Sequence, residues 1–172
     1  MKSLSLKKIT KEDKDLIYKW RKKKFVKKYL LNQNITKLSH SYWFQRKINS
    51  KIFSAWLIKF NKKKIGLVQV DSIKKKNICN AGYYIANLEY SFLTFEVMNI
   101  LHNLVFEKLK FKKIESYISN KNLNIRKLNK FNGYKESNKK HIYKNFIITY
   151  LTLQNWKKSK GYIYFKKKYG KL

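Results

Sequence analysis

Three apolar runs follow one another almost without interruption: "FSAWLIKF" (53–60), "KIGLVQVDSI" (64–73) and "NICNAGYYI" (77–85). Each has the length and the β-branched and aromatic content of a strand, and the lysine-rich "NKKK" between the first two reads as a hairpin. The period then changes. Phe95, Met98, Leu101, Val105 and Leu109 recur at three- and four-residue steps, one face of a helix that starts near Thr94. Strands passing directly into an amphipathic helix confine the chain to folds in which helices cover a mixed sheet. The joint itself, "ANLEYSFLT" (86–94), has no glycine and no proline. Strand-to-helix joints often hold a phosphate on their free backbone N–H groups, so this one marks a place to look for function.

The flanking sequence supplies the other elements. "SLSLKKIT" (3–10) alternates leucine with polar residues as a half-buried strand does. Thr10 with Asp13 resembles a capping box, and Glu12, Asp13 and Asp15 suit the start of a helix through "KDLIYKWRKK". "LSHSYWFQRKI" predicts a second helix with Ser39 as N-cap and Trp43 on its apolar side. "KKIESYIS" reads as a strand, "NLNIRKLNKF" as a short helix, "GYKES" as a turn into a strand, and "YKNFIITYLTL" (143–153) as a long final strand. The order is β-α-α-β-β-β-α-β-α-β-β, an α/β (α+β) domain with a mixed central sheet and helices on both faces. The predicted domain is 1–155. The remainder, 156–172, carries seven lysines in its last 16 residues and is expected to be mobile.

Charge bears on what such a domain could bind. Forty-two Lys+Arg against nine Asp+Glu give a net charge of +33, which attracts nucleic acid and other polyanions. Only three of these cations are arginine (Arg21, Arg46, Arg126), alanine occurs three times, glycine five times and proline never. Residues with AT-rich codons fill the gap, and the lysines run along the whole length. A dedicated nucleic-acid reader favours arginine forks in clusters. The charge therefore reads chiefly as compositional bias and a solvated surface, with nucleic acid bound only nonspecifically. One cysteine, Cys79, excludes an internal disulfide, and three scattered histidines give no metal spacing. No run approaches a membrane span or a signal peptide, so the expectation is a cytoplasmic protein without a membrane span, as a monomer or homodimer.

The order of elements, with particular residues at its joints, resembles the GNAT superfamily of acetyl-coenzyme A-dependent N-acetyltransferases over residues 3–155. The similarity is greatest to the aminosugar (pseudaminic-acid type) and ribosomal-protein N-acetyltransferase branches. It rests on "LIYKWRKKKFV" (16–26), "SHSYWF" (39–44), "KKIGLVQVDSI" (63–73), "AGYYI" (81–85), "VFEKLKFKKIES" (105–116) and "NLNIRKLNKFNGYKES" (122–137). The last is the most specific, and Gly66, Gly82 and Gly133 fall where the family pattern has glycine.

The resemblance implies that acetyl-coenzyme A is the cosubstrate and that no metal is needed. It places the pantetheine arm against backbone groups of Tyr83, Tyr84 and Ile85. The family holds the pyrophosphate in a Q/R-x-x-G-x-G/A loop, which "LEYSFLTFE" lacks; Ser91 and Thr94 could donate hydroxyl hydrogen bonds there or cap the helix, while Glu89 and Glu96 add negative charge. Asn129 stands where many members carry the tyrosine that protonates the leaving thiolate; an amide donates a hydrogen bond but transfers no proton at neutral pH. Asn122 matches an asparagine that touches the cofactor, or simply N-caps its helix. Asp71 and Glu115 are the candidate general bases, and Tyr117 occupies a place where relatives often carry glutamate. Arg21 could reach an acceptor phosphate or order the first helix. His40 could help form the acceptor pocket or serve on the surface, and Trp43 could stack on a ring or belong to the core. The acceptor implied is the primary amine of a nucleotide-linked amino sugar. The alternatives are a catalytically impaired binding protein of the same fold and a ribosome- or RNA-associated basic protein.

Overall fold

The computed structural model describes residues 4–50, 52–73, 77–138 and 144–170. Ser3, Tyr143, Lys171 and Leu172, which the sequence assigns to the first strand, the last strand and the tail, lie outside the described residues. Strands β1 (Leu4–Lys8), β2 (Phe53–Phe60), β3 (Lys63–Ile73), β4 (Ile78–Ile85), β5 (Lys113–Ser119), β6 (Lys135–Glu136) and β7 (Phe146–Thr152) form one mixed sheet in the order β1-β2-β3-β4-β5-β7-β6. The helices are α1 (Lys14–Lys22), α2 (Lys24–Lys27), α3 (Lys37–Ile48), α4 (Thr94–Asn103), α5 (Leu123–Phe131), α6 (Leu153–Lys157) and α7 (Lys160–Tyr169). This is the predicted order with additional helical turns. The chain divides into two compact units, Met1–Ser72 with Gly82–Val97, and Ile73–Ala81 with Met98–Leu172. No helix among the described residues is long and apolar enough to cross a membrane, and no group of three metal-ligating side chains is found there.

In the first unit, β1 and β3 both pair antiparallel with β2, Leu4 opposite Phe60 and Phe53 opposite Asp71 at the outer ends. The β2–β3 hairpin turns on Asn61 (φ 47°) and Lys62 (φ 69°), two left-handed residues that match the twist of the strands. Ile17 and Trp20, one turn apart on α1, pack with Ile9, Phe44, Phe53, Leu57 and Leu67 in the core. The capping residue of α3 is Thr36, not Ser39: Thr36 Oγ1 accepts from Ser39 N at 3.1 Å, and Ser39 Oγ accepts from Thr36 N at 3.0 Å. The helix therefore starts earlier than predicted, because a capping box places its second hydroxyl at the third helical position.

In the second unit, β4 runs parallel to β5 from Ile78–Lys113 to Asn80–Glu115, and β5 pairs antiparallel with β7 along its whole length. Helix α4 passes into a π-helical turn at Leu104–Lys108. The extra residue in such a turn rotates the chain beyond it about the helix axis. Leu104, Val105 and Phe106 are all buried, whereas Leu109, predicted on the apolar face, is 37% exposed. Gly133 sits after α5 at φ +86°, where a Cβ would approach the Asn155 carbonyl oxygen to 2.6 Å.

The lysine-rich tail is helical. Thr152 caps α6, Ser159 caps α7, and Trp156 is buried against Phe106 (5.4 Å between ring centroids), His102 (5.8 Å) and Tyr162 (4.7 Å). Phe165 and Gly161 are buried, and Lys157 pairs with Glu107 at 3.0 Å. Charge density alone predicts mobility here. Trp156, Tyr162 and Phe165 supply the anchoring that the lysines conceal.

Candidate active site

Strand β4 is fixed to β3 at its C-terminal end. The Ala86 N–H donates to the Ile65 carbonyl at 2.6 Å, so residue 86 points its backbone toward β3. Backbone direction alternates along a strand, so Tyr84 and Gly82 also face β3, while Ala81, Tyr83 and Ile85 face the other way. Consistently, the Ala81 carbonyl accepts from Ser116 Oγ of β5 at 2.7 Å. The ladder between β4 and β5 covers Ile78–Asn80 only. Of the three residues whose backbone groups the sequence assigns to the cofactor, Tyr83 and Ile85 thus present them at the edge the ladder leaves, and Tyr84 turns its own toward β3.

Two glycines bear on this strand. A Cβ on Gly66 of β3 would collide with the Tyr84 carbonyl oxygen, so glycine is what lets β3 lie against β4. A Cβ on Gly82 would meet no heavy atom within 4 Å. The space beside Gly82 belongs to no protein group.

The joint after β4 is a 3-10 helix, Leu88–Leu93, leading straight into α4. Its N-cap is Asn87, whose Oδ1 accepts from Glu89 N at 3.2 Å and whose Nδ2 donates to Glu89 Oε2 at 3.0 Å. Tyr90 N donates to the Asn87 carbonyl at 3.1 Å. Thr94 Oγ1 donates to the Ser91 carbonyl, so that hydroxyl closes the turn. The N–H groups an anion would need are consumed internally, and a carboxylate stands beside them. Ser91 and Thr94 are thus joined to each other by the Thr94 hydroxyl.

Arg21, His40 and Trp43, predicted to contact the acceptor, come together in the first unit. The Arg21 guanidinium lies 4.1 Å over the Trp43 ring and donates to His40 Nδ1 at 3.2 Å. His40 Nε2 is 3.0 Å from the Lys14 carbonyl, which can only accept. The ring is therefore neutral with its proton on Nε2. Burial, and then the Arg21 charge, depress the His40 pKa below the usual histidine value despite the opposing hydrogen bond to Lys14. At 2% exposure His40 is an orienting group for Arg21 rather than a surface residue. Among the described residues no carboxylate pairs with Arg21. Burial lowers its pKa, with Tyr84 opposing. The Tyr84 hydroxyl is itself buried without a partner, its pKa raised by burial against a smaller effect of Arg21. Trp43 is half-buried against the core, on Phe53 (6.1 Å) and His40 (5.5 Å). Asp71 is held by Lys47 at 3.1 and 3.2 Å, an ion pair the sequence did not suggest.

In the second unit, Asn122 caps α5, its Oδ1 accepting from Ile125 N at 3.4 Å. Asn129 is 4% exposed and lines an open pocket of about 510 Å³ with Leu123, Arg126, Lys130 and Thr149. Glu115 lies on the other face of the sheet. It is opposite Tyr150 in the ladder, whereas Thr149, the neighbour of Tyr150, lines the Asn129 pocket. Asn129 and Glu115 are therefore not brought together. Tyr117 Oη donates to Glu115 Oε1 at 3.4 Å, a pairing that the two-residue spacing on a strand could have signalled.

A family model for the acetyltransferase (GNAT) domain matches residues 3–135. The chain belongs to the GNAT acetyltransferase family. No curated protein matches this GNAT chain in sequence. Solved structures do match in fold. An uncharacterized protein from Bacillus halodurans is 14% identical with a TM-score of 0.84, covering 97% of this chain and 92% of its own. The N-acetyltransferase PseH of Campylobacter jejuni, in complex with acetyl coenzyme A, is 21% identical with a TM-score of 0.66, covering 88% and 99%. Spermidine N-acetyltransferase from Vibrio cholerae, in complex with CoA and spermine, is 15% identical with a TM-score of 0.78, covering 89% and 97%.

Proposed function

We propose that the protein transfers an acetyl group from acetyl-coenzyme A to the primary amine of an anionic acceptor, a nucleotide-linked amino sugar. Family membership supports acetyl transfer as the activity. The edge of β4 left by the ladder, with Tyr83 and Ile85, offers backbone donors and acceptors for an amide-bearing pantetheine arm. Gly82 leaves room beside it. The acetyl donor supplies an activated thioester; the protein aligns it and receives the proton.

One observation carries the acceptor class: the Arg21 guanidinium is oriented by His40 and Trp43, is largely desolvated, and has no carboxylate partner among the described residues. Partial desolvation disfavours the charge on Arg21, which a bound anion would offset. A phosphate oxygen at the guanidinium supplies that anion. A polyamine or aminoglycoside does not, since it is a polycation approaching a chain of net charge +33.

The test is thiol release from acetyl-coenzyme A with UDP-linked amino sugars as acceptors, and with spermidine and kanamycin in parallel. Turnover with the nucleotide sugar and none with the polycations is expected. Turnover confined to spermidine would overturn the acceptor class. No thiol release with any amine would favour a noncatalytic protein of this fold.

A further inference from the structure

We propose that the pocket α5 forms with β6 and β7 binds a phosphorylated small molecule of nucleotide size, with Lys127 and Lys130 on its phosphate and the Asn129 amide on its body. The inference goes beyond acetyl transfer and does not depend on it.

Every residue that lines this pocket belongs to the second unit. Its wall on α5 follows from helix spacing. Leu123, Arg126, Lys127 and Lys130 recur at three- and four-residue steps, so they share one side of the helix. The sheet contributes Glu136 of β6 and Thr149 of β7, which are opposite each other in the ladder and share one face. Lys135 is opposite Tyr150 and belongs to the other face, so the cations of the pocket are those of α5. Arg126 Nε and Nη2 donate to the Glu136 carboxylate at 2.9 and 3.1 Å and tie the helix to β6. A volume of about 510 Å³ suits a ligand larger than a bare phosphate.

Charge decides the class of that ligand. Arg126 and Glu136 neutralise each other, which leaves Lys127 and Lys130 without a carboxylate partner among the described residues. Lysine binds phosphate as a point charge, and a dianionic phosphate can meet two ammonium groups on one side of a helix.

Asn129 is the second observation. It is 4% exposed and lines the pocket, yet its side-chain amide makes no hydrogen bond to a described residue. Buried amides are ordinarily bonded, so this one has a donor and an acceptor left for a ligand. That combination matches a base edge or a sugar hydroxyl, and exposed Leu123 offers apolar contact to a ring. A nucleic-acid chain would instead follow a stripe of cations with aromatic platforms. Here two cations stand with a carboxylate and a buried amide.

The experiment is calorimetric titration of the whole chain with GDP, and separately with inorganic diphosphate, near physiological salt. Because lysines run along the whole chain, Lys127→Gln with Lys130→Gln is compared with Lys166→Gln with Lys167→Gln on α7, both checked for folding by circular dichroism. GDP is expected to bind one to one and more tightly than diphosphate. The pocket variant should weaken GDP about tenfold or more, and the α7 variant less than about twofold. Asn129→Ala should bring GDP toward diphosphate while leaving diphosphate within about twofold. Saturating acetyl-coenzyme A should leave GDP bound. Equal weakening in the two lysine variants would overturn the site and leave only the attraction of a +33 chain for anions. No GDP binding, or GDP no tighter than diphosphate, would overturn the ligand class. Displacement of GDP by acetyl-coenzyme A would overturn the site as well, giving the pocket to the acetyl donor. Acetyl transfer itself is read by thiol release, so its failure would leave these binding results standing.

Discussion

The end of β4 and the turn after it lie a few residues apart, yet they make different demands on the sequence. On the proposed reading the edge binds through backbone groups of Tyr83 and Ile85, which any side chain supplies. The turn would need glycine for close approach and unspent N–H groups, and it has Asn87 bonded to Glu89 across a 3-10 helix. A site built on backbone direction tolerates a composition poor in glycine and arginine. A site built on particular residues does not. Arg21, one of three arginines, is held by two neighbours.

The largest effect should come from breaking the packing of β3 on β4. Gly66→Val drives a side chain into the Tyr84 carbonyl and should destabilise the fold by about 3 kcal/mol or more, read as a shift in urea midpoint. A Cβ at Gly82 meets no heavy atom within 4 Å, so Gly82→Ala should change stability by less than about 1 kcal/mol while donor affinity falls at least tenfold (roughly) through lost room. Equal destabilisation by the two substitutions would erase the distinction between a packed and an open glycine.

The acceptor seat sharpens the contrast because it depends on side chains. Arg21→Ala should raise the acceptor KM about tenfold or more with little change for the donor. Acidification should act in the same direction. His40 holds Arg21 only while neutral, and its pKa is lowered by burial. The seat is intact above the usual histidine range and is lost as the pH falls below it, through the depressed value. Donor binding to backbone groups should not track this titration. The smallest effect is Glu89→Gln, which removes a carboxylate at a helix start and should tighten acetyl-coenzyme A by about two- to fivefold.

Much of this is legible in the sequence. The three strand runs and the helix from Thr94 come from apolar spacing, and Gly66 and Gly133 mark a close approach and a left-handed turn, as rare glycines should. Leu109 is misplaced by the same spacing, because a π turn shifts the register without a local sequence signal. The tail is misread too, because its lysines outnumber the aromatic residues that anchor it. Arg21, His40 and Trp43 stand out separately in the sequence. Their mutual contact is tertiary, as is the Lys47 that occupies Asp71.

The division between the edge and the turn is tested most directly by calorimetric titration of the protein with acetyl-coenzyme A and with acetyl-pantetheine near physiological salt. If the edge carries donor binding, the two dissociation constants should agree within about threefold, leaving no more than a weak electrostatic gain from the diphosphate. Acetyl-coenzyme A binding a hundredfold or more tighter (roughly 2.7 kcal/mol) would mean the turn after β4 holds the diphosphate after all, and would contradict the account.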